Sequence, residues 1–162
     1  MSQLTTPELF DMSGHVAVIT GAGRGIGEGI AKSFSEAGAS VIVAARRTEE
    51  IDRVAAEINE SGGSAIAVTT DVTDDDAVEN LAKSAIAEYG KLTTWVNNAG
   101  GSPMRMPLSD LPREEWDRTV ALNLTSIYIG CITAAKYMTK GSIINITSGA
   151  GSGPVPGSGH YG

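Results

Sequence analysis

The sequence predicts an α/β fold built on a doubly wound parallel sheet. Short β-branched apolar runs alternate with longer stretches of helical period, the pattern of parallel strands joined by right-handed crossovers. The runs are apolar throughout instead of alternating with polar residues, as expected where helices cover both faces of a sheet. A glycine-rich turn, Thr20-Gly21-Ala22-Gly23-Arg24-Gly25-Ile26-Gly27, joins the first run to the first helical stretch.

In chain order, His15 to Thr20 reads as the first strand and Gly25 to Ala37 as a helix stopped by Gly38. Ser40 to Ala45 is a second strand. Glu49 to Asn59 carries Ile51, Val54, Ala55 and Ile58 at helical spacing and is stopped by Gly62-Gly63. Ala65 to Thr70 is a third strand, followed by a helix over Asp74 to Tyr89. Its opening aspartates, Asp74 to Asp76, suit the positive end of a helix dipole. Leu92 to Asn97 is a fourth strand. Pro112 to about Thr139 reads as one long helix with proline at its start. Ser142 to Ser148 is a fifth strand, and the Gly-, Ser- and Pro-rich tail from Gly149 reads as loop. No repeat beyond this period and no linker divides the chain, so one domain over residues 1–162 is expected.

The bulk numbers exclude several function classes. With 41% hydrophobic and 19% charged residues the chain reads as soluble and globular. A net charge of -7 and a pI of about 4.7, without a basic stripe, argue against a nucleic-acid partner. Any anion must therefore be held by local donors and not by a global field. The single cysteine, Cys131, has no partner for an internal disulfide, which fits a reducing compartment. Met1 to Ser13 lacks a signal pattern and no apolar run reaches membrane-spanning length, so a cytoplasmic protein without membrane contact is expected.

The glycine turn carries the first chemical signal. Glycines allow a tight turn and let the backbone approach a pyrophosphate without Cβ clashes. The helix that follows offers unpaired N–H groups and a partial positive charge. A glycine triplet alone is a weak signal, but this one follows a strand, opens a helix and sits at the start of a βαβ unit, the context that dinucleotide binding requires.

The spacing Thr-Gly-x-x-x-Gly-x-Gly at Thr20 to Gly27 resembles the short-chain dehydrogenase/reductase family. Further stretches agree with it: Asp71-Val72 after the third strand, Asn97-Asn98-Ala99-Gly100 at the end of the fourth, Asn123 in the long helix, Ile146-Thr147-Ser148 at the end of the fifth, and Tyr161 thirteen residues after Ser148. Asn97 to Ser102 also resembles bacterial hydroxysteroid dehydrogenases. The resemblance implies a Rossmann-type sheet of order 3-2-1-4-5 and a nicotinamide cofactor held by Gly21, Gly23, Arg24, Gly25, Ile26, Gly27, Asp71, Val72, Asn98, Ala99 and Gly100. It implies Ser148 as the residue polarising a carbonyl or alcohol substrate, Tyr161 as acid/base and Asn123 as support for a proton relay. Tyrosine titrates near pH 10 unperturbed, so the family sets a cation beside it to favour the phenolate. That cation is a lysine four residues after the tyrosine, which here falls beyond Gly162. Members are half as long again, so the chain is expected to be an N-terminal part, with later sheet elements and the substrate lid outside it. The long helix joins a subunit interface in the family, so a homodimer or homotetramer is expected. A catalytically inert nucleotide-binding module is the alternative.

The second strand ends Ala44-Ala45-Arg46-Arg47. Where NAD-dependent enzymes of this fold place an acid for the ribose hydroxyls, this sequence has Ala45. Arg46 and Arg24 instead offer guanidinium groups that can fork onto a 2′-phosphate, and Arg47 beside Arg46 is a further cofactor-binding candidate. NADP(H) is therefore expected over NAD(H).

Overall fold

In a computed structural model, residues 9–102, 104–153 and 155–161 are described. Most of the N-terminal stretch read for a targeting pattern, and Gly162, lie outside them. Five strands, β1 (Val16–Thr20), β2 (Ser40–Ala45), β3 (Ser64–Thr69), β4 (Thr94–Asn97) and β5 (Ser142–Asn145), form one parallel sheet of order β3-β2-β1-β4-β5. The chain steps outward through β2 and β3, then returns to place β4 on the other side of β1. The loops after β1 and β4 therefore diverge over a crevice at the carboxyl ends of the strands, where open α/β sheets bind ligands.

The apolar strand runs are explained by what covers them. Ala17, Ile19, Val41, Val43 and Val96 face α1 (Gly25–Glu36) and α2 (Thr48–Glu60), packing against Ala31, Ile51, Val54 and Ile58. Alternate residues Val16, Val18, Ile42, Ala44 and Trp95 face α3 (Asp75–Tyr89), packing on Val78, Leu81, Ala82 and Ala85. A fully buried residue of this size contributes about 1.5–3 kcal/mol over an exposed one, so two such layers fix the register of the central strands.

Two expected boundaries shorten and one helix divides. β4 begins at Thr94, and Thr93 just before it stays tied to β1: its N–H donates to Val16 O (3.0 Å), and its hydroxyl donates to Val16 O (3.1 Å) and accepts from Val16 N (2.9 Å). β5 ends at Asn145, whose side-chain oxygen accepts from Asn97 Nδ2 (2.9 Å), and Ile146 to Ser148 turn toward the crevice. The stretch Pro112 to Thr139 is not one helix. It comprises α4 (Arg113–Val120), a π-helical turn over Ala121–Thr125, and α5 (Ser126–Tyr137). The π-turn carries Asn123, and the following residue Ser126 bonds back to Leu122 O at 2.6 Å. The apolar residues of α5 are not covered on all sides either. Ile129, Thr133 and Ala134 are buried, whereas Tyr128 and Ile132, with Leu124 of the π-turn, form an exposed stripe at i, i+4, i+8. β5 is likewise exposed along its length.

Candidate active site

The crevice is a cleft of about 760 Å³, within the usual range for ligand sites. Its wall is built from segments distant in sequence. The β1–α1 turn contributes Gly21, Gly23, Arg24, Gly25, Ile26 and Gly27; the end of β2 contributes Ala45, Arg46 and Arg47; the β3–α3 turn contributes Thr70, Asp71 and Val72; and the β4 loop contributes Asn98, Ala99 and Gly100. Asn123 comes from the π-turn, Ser148 from beyond β5, and Tyr161 from the tail. The fold thus brings every residue named as a cofactor or catalytic candidate to one cavity.

The turn after β1 is shaped by two glycines. Gly21 has φ +65°, and a Cβ there would meet Ala99 Cα at 2.8 Å. A Cβ at Gly27 would stand 2.5 Å from Asn98 Nδ2 and 2.9 Å from Ala22 Cα, and would overlap Gly21 O. The first and fourth strand ends are stitched together here. The buried Thr20 hydroxyl accepts from Asn98 N (3.0 Å) and Ala99 N (3.1 Å) and donates to Val96 O (3.2 Å), which fills its capacity. Asn98 Nδ2 donates to Thr20 O (2.9 Å) and Gly21 O (3.2 Å).

The helix ends differ in a way that bears on anion binding. Asp74 caps α3, accepting from Asp76 N (2.9 Å) and Ala77 N (3.1 Å). α1 begins after Arg24, whose side chain makes no capping hydrogen bond, and its first residues line the cleft. Its leading N–H groups and positive dipole end are thus available to an anion. These residues fit the pyrophosphate of a dinucleotide.

At the end of β2 the charges pair locally. Arg47 Nη1 contacts Glu50 Oε1 at 2.6 Å, so a carboxylate also lines the cleft. Arg46 Nη1 stands 4.0 Å from Asp71 Oδ2 and is 67% exposed, which makes it the looser of the two cations. Asp71 is held below the usual carboxylate range, first by the Thr73 backbone N–H (3.0 Å), then by the Thr73 hydroxyl and by Arg46.

At the other end, Asn123 clamps a loop to the π-turn. Its Oδ1 accepts from Gly101 N (2.7 Å), and its Nδ2 donates to Gly101 O (3.0 Å) and Thr119 O (2.9 Å). The Ser148 hydroxyl accepts from Ala150 N at 3.2 Å. Tyr161 is half-buried, and the preceding His160 is buried, with Nε2 3.1 Å from Ser102 Oγ and Nδ1 without a partner among the described residues. Met106 N donates to Gly157 O (2.9 Å), a second tie between the tail carrying Tyr161 and the loop after β4. Among the described residues no group of His, Cys, Asp and Glu is arranged for a metal, and no helix is long and apolar enough to cross a membrane.

Sequence reasoning passed over Glu50 and His160, and gave Thr20 a place in the motif but no role. Glu50 stands three residues after Arg47 on one helix, a spacing that could have paired them. The partners of Thr20 and His160 lie 58 to 79 residues away, and no local pattern marks them.

A parallel sheet of this order, with an uncapped glycine-turn helix facing a cleft at the strand ends, defines a dinucleotide-binding α/β fold. The short chain dehydrogenase family model matches residues 15–162, and the chain belongs to that family. It is 37% identical over 154 residues to a 3-oxoacyl-[acyl-carrier-protein] reductase of Synechocystis, covering 93% of this chain and 62% of that protein. It is 37% identical over 155 residues to a 2,5-dichloro-2,5-cyclohexadiene-1,4-diol dehydrogenase of Sphingobium indicum, covering 93% of this chain and 61% of that one. Among solved structures it resembles a 7α-hydroxysteroid dehydrogenase complexed with NADH and 7-oxo glycochenodeoxycholic acid, with TM-score 0.92 and 35% identity over 98% of this chain and 62% of that one. A short-chain type dehydrogenase/reductase from Mycobacterium marinum matches with TM-score 0.93 and 36% identity, over 98% of this chain and 66% of that one. The chain spans about three fifths of the length of the curated relatives it matches.

Proposed function

We propose that this chain is the cofactor-binding part of a cytoplasmic oxidoreductase that moves a hydride between NADP(H) and a carbonyl or secondary alcohol. The observation that carries this reading is the uncapped N-terminus of α1, opening on a cleft that Ser148 and Tyr161 also line. The N–H groups of the β1–α1 turn hold the pyrophosphate, Asp71 and Val72 bound the adenine side, and Asn98 to Gly100 form the floor. The nicotinamide cofactor supplies the hydride. Ser148 donates a hydrogen bond to the substrate oxygen, and Tyr161 gives or takes the proton there. Asn123 supports the relay by fixing the Gly101 segment that bounds this end of the cleft. The exposed Leu124–Tyr128–Ile132 stripe supports a homodimer or homotetramer.

Preference for NADP(H) rests on Arg46. Ala45 offers no acid to the ribose, and Arg46 is only loosely engaged by Asp71. An Arg–phosphate hydrogen bond contributes about 1.5–3 kcal/mol, or about 10- to 100-fold in affinity. Fluorescence titration is expected to give tighter binding of NADPH than of NADH. Arg46→Asp should remove that difference by weakening NADPH alone. Unchanged NADPH affinity in Arg46→Asp would overturn the assignment.

A further inference from the structure

Four charged side chains lie behind the phosphate turn, between α1 and α2. Lys32 Nζ contacts Glu28 Oε1 (2.6 Å) and Glu57 Oε2 (2.7 Å). Arg53 Nη1 donates to Glu57 Oε1 (2.7 Å) and Glu28 Oε1 (3.1 Å), and its Nη2 donates to Glu28 Oε2 (3.1 Å). The same Nη2 also donates to the backbone oxygen of Gly23 at 3.2 Å. Gly23 is buried and lines the cleft; Arg53 does not line it. Two acids hold the guanidinium while Nη2, bonded to Glu28 through one N–H, reaches the turn with the other, a fixed fork that an ammonium cannot reproduce.

We infer that Arg53 is a positioning residue for the phosphate turn, holding the Gly23 carbonyl out of the cleft so that N–H groups, and no carbonyl oxygen, face a bound pyrophosphate. The inference rests on the nucleotide reading of the cleft. The peptide from Gly23 to Arg24 is planar and trans, so its C=O and N–H point in opposite directions. Anchoring the oxygen on Arg53 therefore turns the Arg24 N–H the other way. Were the peptide free to rotate, its oxygen would at times face the phosphates and repel them. On its Gly23 side that peptide has no Cβ to limit rotation about ψ, so an external anchor helps to fix it. Attraction of the phosphate by Arg53's own charge is a poorer account. The cluster holds two acids and two bases and is neutral as a set.

The test separates the pyrophosphate from the rest of the ligand. Dissociation constants are measured for NADPH and for adenosine 2′-monophosphate, which lacks the pyrophosphate, on the unmutated chain, Arg53→Met and Arg53→Lys. Arg53→Met should weaken NADPH about tenfold, which is 1.4 kcal/mol, and leave the 2′-monophosphate unchanged. Arg53→Lys preserves the cluster's charge and its hold on Glu28 and Glu57 but lacks the second arm. It should show the same selective loss, smaller in size, and it decides the matter if Arg53→Met does not fold. Equal weakening of both ligands would mean a general loosening of the fold and overturn the inference, as would unchanged NADPH affinity in both variants. If the unmutated chain binds neither ligand, the nucleotide reading itself falls and this inference falls with it.

Discussion

Replacing Thr20 by valine keeps the side chain's shape and removes one oxygen. That oxygen closes three hydrogen bonds between the ends of β1 and β4. Without it the N–H groups of Asn98 and Ala99 lose their partner beneath the cleft floor, at about 1–3 kcal/mol each. The added methyl returns about 0.8 kcal/mol by burial, since Thr20 is 2% exposed. The net loss is about 3 kcal/mol, which in a domain of this size lowers the melting midpoint by about 6–12 °C. Thr20→Ser keeps the hydroxyl and loses only a methyl, at about 1 kcal/mol. Urea unfolding followed by circular dichroism of the three proteins checks the order. A valine variant as stable as the serine variant would refute the reasoning, because the hydroxyl would then not be what joins the two strand ends.

Two other perturbations follow from the same geometry. Gly27→Ala places a Cβ against Gly21 O and Asn98 Nδ2, so the turn must open; isothermal titration should show NADPH binding lost, and retained affinity would mean that the turn tolerates the shift. Glu28 is held down to about 2 from an ordinary 4.5, chiefly by its bonds to Arg53 and then to Lys32. A carboxyl depressed by folding contributes its full stabilisation above its unfolded pKa and loses it as pH falls through the folded one. The urea midpoint of the unmutated chain should therefore fall more steeply between pH 4.5 and pH 2 than that of Glu28→Gln. Parallel slopes would show that the cluster does not couple folding to protons.

How far the sequence could be read depended on the range of the interactions. β1 and β2 were legible because a strand buried on both faces must be apolar at every position, and Val16 to Ile19 and Val41 to Ala44 are. The α2 face was legible because Ile51, Val54, Ala55 and Ile58 repeat at helical spacing and all pack inward. The break within Pro112 to Thr139 was not legible. Apolar spacing is similar for an α-helix and for one containing a π-turn, and the clamp that marks it joins Asn123 to Gly101, 22 residues earlier. The cleft shows the same division. Its glycines announce themselves by type and order, whereas the pairing of Arg47 with Glu50 and the anchoring of Gly23 by Arg53 depend on which rotamer and which helix face the fold selects.

The π-turn at Ala121–Thr125 also bears on how such a chain can change length. A wide turn holds one residue more than an α-helical turn, and each helical residue advances the chain by about 100°. Loss of one residue here would close the turn into an unbroken helix without cutting the chain's path. α5 would keep its seat, since Ile129, Thr133 and Ala134 are fixed in the sheet-side layer. α4 would keep its direction and face as well, because the wide turn takes up the residue it adds within a single turn. Asn123, which sits in the widened turn, would lose the position from which it reaches Gly101, and the loop after β4 would lose its clamp. A single-residue deletion here would thus leave the scaffold standing and release one wall of the cleft, so the extra residue serves the cleft more than the packing of the helices.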